Sequence, residues 1–377
     1  MAEIDKSLPN NITEVEVPEE EIVDATEAVT DTSMDGETKI EMDEEGGATI
    51  DFDPNAADPL GGEDHFANLS EFLEDNVLDP LASELMDKYK DYRQSRQDWE
   101  DSYREGLNLL GFKYITRTEP FRGAASVTHP VLAEAVTQFQ AQAYKELLPA
   151  DGPVRTQILG DVTVPKEEQS KRVKDFMNYQ IMDQMKEYEP EFDQMLFYLP
   201  LSGSTFKKVY YDDLLGRAVS KFVPAEDLIV PYSANSLDDA EAVIHVIKMS
   251  ENELRKQQVA GFYRDIELGR PPVTQNELQD KKLELEGIQR DGQEDQYTLY
   301  EIHTDIDLEG YEDLGADGEP TGIKLPYVVT IAQSNNKILS IRRNYGEQDP
   351  LKKKINYFVQ FKFLPGTGFY GFGLIHM

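Results

Sequence analysis

The chain has 377 residues, 39% of them hydrophobic, with 19 Tyr and 17 Phe, enough for two or three domains and a sizeable buried core. It carries 73 Asp and Glu against 37 Lys and Arg, a net charge of −36, which argues against holding nucleic acid through clustered cations and counterion release. It has no cysteine, which excludes disulfides, thiolate metal sites and cysteine nucleophiles.

The charge is uneven. Residues 1–79 hold 25 Asp or Glu against two Lys, about −23, leaving about −13 for residues 80–377. Residues 1–66 are acidic, rich in Thr and Gly and poor in large apolar side chains, with no sustained hydrophobic period. Such a segment buries too little surface to offset its ordering entropy and is expected to be a disordered tail. The opening residues lack the basic-then-apolar pattern of a signal peptide, and no apolar run reaches transmembrane length.

Order is expected from near Leu69, with a second helix-start signal at Asp79-Pro80. Leu81, Leu85, Tyr89, Tyr92, Trp99, Tyr103 and Leu107 recur mostly at three or four residues, which predicts one long amphipathic helix ending at Gly111. Trp99 falls on its core face. A loop at 118–126 precedes a helix over 130–148, with Val131, Ala135, Phe139, Ala143 and Leu147 on one stripe. Further helices are predicted over 166–186 and 192–198, the latter leading to the turn Ser202-Gly203-Ser204.

Strand patterns follow at 205–211 and 217–223, paired as a hairpin, and at 242–249. Ser250 with Glu253 reads as a capping box opening a helix. A charged helix is expected over 275–287. The last third reads as an antiparallel meander of strands 297–307, 327–332, 338–343 and 355–363, with Asn335-Asn336 in a turn that needs left-handed backbone. The expected fold class is α+β: a helical region over 67–200, then a mostly antiparallel β region over 201–377.

Chemistry-bearing motifs are sparse. Gly366-Thr367-Gly368-Phe369-Tyr370-Gly371 matches G-x-G-x-x-G, but within this sequence no helix and no distal acidic residue follow it, so the glycines are read as permitting a bend. Asp305-Ile306-Asp307-Leu308-Glu309-Gly310 resembles the start of a calcium loop, yet Ala316 occupies the position of the bidentate Glu. No P-loop, H-E-x-x-H or G-x-S-x-G is present. The five His show no metal-ligand spacing. His245 reads as a hydrogen-bonded structural residue. Arg342-Arg343 and Lys352-Lys353-Lys354 read as partners of carboxylates or as solvated. No catalytic, cofactor-binding or metal-binding residue is assigned.

Three stretches together resemble tailed-bacteriophage portal proteins. The first is Glu119-Pro120-Phe121-Arg122-Gly123-Ala124-Ala125-Ser126-Val127, leading to the helix that ends Glu146-Leu147-Leu148-Pro149. The second is Leu201-Ser202-Gly203-Ser204-Thr205-Phe206-Lys207-Lys208-Val209-Tyr210-Tyr211-Asp212, like the wing pattern in which a helix ends at Gly and a strand carries a Lys-Val pair. The third is Val223-Pro224-Ala225-Glu226-Asp227-Leu228-Ile229-Val230-Pro231, followed by Ser236-Leu237-Asp238-Asp239-Ala240, a His-bearing strand and a helix opened by Ser250.

The resemblance covers residues 80–377 and leaves out the acidic tail. It implies a non-enzymatic structural subunit, without cofactor, of a ring that is typically dodecameric. Such a ring sits at one capsid vertex of the virion and is assembled in the host cytoplasm. Its partners would be capsid or scaffold protein, the packaging terminase and tail adaptors. Double-stranded DNA would slide through without sequence-specific binding, and an acidic wall suits that passage. It also implies an N-terminal fragment that stops before the stem helix, with terminase contacts beyond residue 377 and Leu374-Ile375 exposed as an interface cut open. The alternative is an acidic scaffold or assembly chaperone with an α+β binding domain.

Overall fold

In a computed structural model of the protein, the described residues are 39–42, 48–51, 65–110, 121, 129–212, 215–271, 277–286, 296–315, 319–366 and 368–377. They fall in two units, 1–63 and 64–377. In the first, β1 (Lys39–Met42) pairs antiparallel with β2 (Ala48–Asp51), Lys39 opposite Asp51. The disorder expected over 1–66 otherwise concerns residues outside the described ones, up to His65 and Phe66. Those two are tied down: Arg343 donates to the His65 carbonyl at 3.0 Å, and Arg342 to that of Phe66.

The second unit is α+β. It opens with α1 (Asp75–Ser95) and α2 (Gln97–Leu107). The single long helix expected here is broken at Arg96, whose ψ of 8° leaves the helical range. The helix starts at Asp75, so Pro80 lies inside α1 and is not its first residue. Next come α3 (Val131–Leu147), α4 (Val164–Tyr179), with a π-type turn over Gln180–Gln184, and α5 (Tyr188–Ser202). Of the stripe expected on α3, Val131 and Leu147 are exposed; Val136 is buried instead, with Leu132 and Ala133 partly so.

The β region comprises β3 (Ser204–Asp212), β4 (Arg217–Pro224), β5 (Leu228–Ile229), β6 (Ala242–Ser250), α6 (Glu251–Val259), α7 (Glu277–Glu286), β7 (Gln296–Ile306), β8 (Leu325–Ala332), β9 (Ile338–Arg343) and β10 (Phe358–Lys362). The capping box at Ser250 and Glu253 forms as expected. Asn336 takes φ 55° in the β8–β9 turn.

Two antiparallel sheets result, one in the order β5-β6-β7-β8-β9 and one in the order β10-β3-β4. The last strand is therefore not the fourth member of the meander: Phe358 pairs with Lys208 and Lys362 with Ser204. The physical reason is that the outer edge of β9 is already occupied. The Asn68 side chain donates to the Leu339 carbonyl at 3.0 Å and accepts from the Ile341 N–H at 3.0 Å, and the Arg264 N–H donates to Leu339 at 2.8 Å. An edge satisfied in this way offers no ladder to a further strand.

The alternation of strand side chains builds two layers of core. Tyr300 and Ile302 on β7, Ile244 on β6 and Val329 on β8 pack with Leu78, Ala82 and Leu85 of α1. On the opposite face, Leu299 and Leu339 pack with Leu254 and Tyr263. A further core joins Trp99, Tyr103 and Leu107 of α2 to Phe206, Val223, Phe358, Phe369 and Tyr370. Each fully buried side chain of this size stabilises by about 1.5–3 kcal/mol. The expected exposure at the end of the sequence is not found. Ile375 is only 8% exposed and lies against Gly106, where an added Cβ would overlap it, and Leu374 packs on the same core.

Candidate functional sites

Polar chemistry inside the second unit gathers at two places. The first lies where the two sheets meet. Strand periodicity puts Glu301 and His303 on one face of β7, and register sets His245 of β6 directly opposite Glu301. Lys208 reaches across from β3 and donates to both Glu301 oxygens, at 2.6 and 2.7 Å. His303 Nε2 lies 2.8 Å from Glu301 Oε1 and donates to it. The ring of Phe358 packs edge-on against both histidines.

Burial pushes the Glu301 carboxyl up, but the Lys208 ammonium and the His303 bond outweigh it and hold the group well below the usual carboxylate range. Burial pushes His245 down to about 3, with Lys208 adding to the shift. His245 Nδ1 stands 4.0 Å from Glu301 and has no hydrogen-bond partner. The expectation of a structural residue thus meets a neutral imidazole held by packing and not by a bond.

The second place is the α1–α2 break. Arg96 is fully buried, and its guanidinium donates to the carbonyls of Ala225 at 2.9 Å, Leu228 at 3.0 Å and Glu226 at 2.6 Å. It also bonds the Tyr370 hydroxyl at 2.9 Å and Glu100 at 2.7 Å. Five donors in a rigid fork suit such a task, which an ammonium could not perform. Beside it, Lys282 of α7 pairs with Glu226. Burial, with Glu226 adding to it, pushes the Asp227 carboxyl up to about 7. A cavity of about 40 Å³, water-sized, opens between Arg96, Glu100, Glu226, Asp227 and Lys248.

Each cluster leaves one buried polar atom unpaired, His245 Nδ1 in the first and Glu226 Oε2 in the second. A third buried group, Lys207, sits 3.8 Å from the Tyr188 ring centroid with no hydrogen-bond partner, and burial lowers its amine to about 8. Among the described residues no group of three or more His, Cys, Asp or Glu is arranged to hold a metal ion, and no helix is long and apolar enough to cross a membrane.

The motifs weighed in the sequence resolve into structure. Trp99 is core, stacked between Tyr103 and Tyr370 at 5.5 and 4.8 Å. The glycine run serves close backbone approach: Gly203, at φ 83°, ends α5, and Gly371 and Gly373 pass so near it that a Cβ on any of the three would overlap backbone. Lys352 pairs with Asp313 and Lys354 donates to the Leu237 carbonyl. Arg342 lies over the Phe262 ring and Arg343 over that of Tyr311. The calcium-like loop includes Ala316, which lies outside the described residues, as does most of the 118–126 loop.

Sequence reasoning missed Arg96, Lys208, Glu301 and His303. The signal for the last three was charge at inward positions of apolar strands; for Arg96 the sequence carries none. No family model matches the chain, and a search of curated proteins finds no match either.

Proposed function

We propose that this chain is a structural subunit of a phage portal ring, the ring forming the DNA entry and exit channel at one capsid vertex, and that it performs no reaction of its own. The observation that carries the reading is the order and spacing of the three portal-like stretches in the sequence, the second and third of which fall on described elements. The second runs from the end of α5 through the left-handed Gly203 into β3. The third runs through β4, the acidic turn at Glu226-Asp227, β5 and β6 into the capped start of α6. Support also comes from the polar clusters, which tie helices to sheets and sheet to sheet as a load-transmitting wall requires. In the ring, copies would meet through repeated heterologous contacts, with capsid or scaffold protein, terminase and tail adaptors as partners. Assembly would take place in the host cytoplasm and the product would reside in the virion.

The acidic bias of residues 1–79 also suits the second reading, an acidic scaffold or assembly chaperone. Electron microscopy and native mass measurement on the protein separate the two. A closed ring with an axial channel is expected. A protein that stays monomeric, or that forms only a stoichiometric complex with another capsid component, overturns the portal reading.

A further inference from the structure

The helix α4 is unlike every other long helix of the second unit: none of its residues is buried. It is held to the body along a narrow polar seam. Asn178 donates to the carbonyls of Asp151 and Val154 and accepts from the Val154 N–H, while Ser170 donates to Thr156. An isolated helix of about 12–15 residues is marginal in water, and helices in proteins are stabilised chiefly by packing an apolar face. α4 has such a face and leaves it bare. Val173, Phe176 and Met177, spaced i, i+3 and i+4, share one side of the helix, and all are exposed, Phe176 by 58%. Leu159 and Val162 of the lead-in segment and Val164 at the start of α4 are exposed as well.

Charge says what covers it. By helical periodicity Lys166 lies on the apolar side of α4 and Arg172 at its margin, Lys174 and Glu167 share the flank of Ser170 and Asn178 that meets the body, and Glu168, Lys171 and Asp175 fall on the far side. None of these cations forms a salt bridge among the described residues. The apolar stripe therefore has a basic rim, on a chain whose net charge is −36. The complementary pattern is present on α2. Asp98, Ser102 and Glu105 share one exposed face, and Leu109, 57% exposed, follows just past its end. The carboxylates of Asp98 and Glu105 have no cationic partner among the described residues.

We infer that α4 is a contact surface for a second copy of this chain, its basic-rimmed apolar stripe seating on the acidic face of α2 in the neighbouring copy. Two different patches meet, so the contact is heterologous and propagates from copy to copy. It deepens the portal reading by naming an assembly surface, but it does not depend on that reading.

The test uses the 377-residue chain, with association followed by sedimentation velocity and native mass measurement over a range of concentrations and salt. Wild type associates, more weakly at high salt. F176E weakens association at least tenfold while the far-UV spectrum stays that of wild type. K166E with R172E does the same, and adding D98K with E105K to that chain restores association. D98K with E105K alone also weakens association, and because the rescue pairs variants that each fail alone, misfolding of one variant cannot imitate it. A wild-type chain that remains monomeric throughout, association untouched by F176E, or a charge reversal that the α2 swap does not rescue overturns the inference. Closed rings formed by F176E sink this contact and leave the portal reading standing. Association that depends on α4 but never closes into a ring does the reverse.

Discussion

The two buried polar clusters solve one problem in different ways. Between the sheets, Glu301 is an ion pair made whole: Lys208 satisfies both oxygens and His303 adds a third bond. At the α1–α2 break, the cation Arg96 is served mainly by neutral backbone carbonyls, while the carboxylates near it are less well placed; Glu226 Oε2 has no hydrogen-bond partner. A buried charge is tolerated when every polar atom around it is paired and costs stability when one is not. In the first cluster the charged groups are paired and only the neutral His245 is left unbonded, which fixes the spacing of two sheets, whereas the second fixes a helix junction while a charged carboxylate keeps one oxygen unpaired beside Asp227. The two also respond to pH with opposite signs.

The largest effect is expected from Glu301→Gln. It leaves the Lys208 ammonium buried without its counter-charge, and a loss of about 3–5 kcal/mol is expected, read by denaturant unfolding. Emission from Trp99, whose ring stacks with Tyr103 and Tyr370 and not with the cluster, should stay unchanged in the folded protein. A loss under about 1 kcal/mol would show that water reaches Lys208.

Arg96→Met follows, with an expected loss of about 3 kcal/mol, since three carbonyls and the Tyr370 hydroxyl lose a charged donor together. Here the native fluorescence should shift to the red, because Arg96 lies over Trp99 and Tyr370. Unchanged emission would mean that the aromatic stack holds the junction without Arg96.

The pH dependence separates the clusters further. Glu301 stabilises the fold above its unfolded pKa near 4.5, and that contribution is lost as pH falls through its lower folded value. His245, neutral when folded and with its pKa moved from 6.5 to about 3, also makes the fold less stable as pH falls below 6.5. Asp227 works the other way. Its pKa rises from 3.8 to about 7, so stability is lost as pH rises through that window. Asp227→Asn should therefore gain about 1–3 kcal/mol over wild type at pH 8 and differ little at pH 4. Melting curves at both pH values check this; an equal effect at both would remove Asp227 as the source.

The smallest effect belongs to a site outside both clusters. Ser250→Ala removes the cap that accepts from the Glu253 N–H at 3.3 Å, and about 1 kcal/mol should be lost, with no pH trend between 6 and 8. It calibrates the scale on which the two cluster variants are judged.

The sequence alone determined the α+β class, the β3–β4 hairpin, the capping box at Ser250 and the left-handed turn at Asn336. Each of these is written in short-range pattern: a period of 3.6 or 2, a cap three residues from its partner, a residue type that tolerates positive φ. Tertiary structure decided the rest. Heptad-like spacing across residues 81–107 carried no sign that Arg96 would leave the helix to serve carbonyls more than a hundred residues away. Nor did strand propensity at 355–363 indicate which sheet would receive it, because that choice rested on Asn68 having already closed the edge of β9. The apolar look of Leu374 and Ile375 was legible, but whether a partner or the chain itself covered them was not; Gly106 leaves room for Ile375, and the chain covers it. Lys208 joins Glu301 and His303 only because two sheets pack face to face, and pairing across such distances leaves no local periodicity to read.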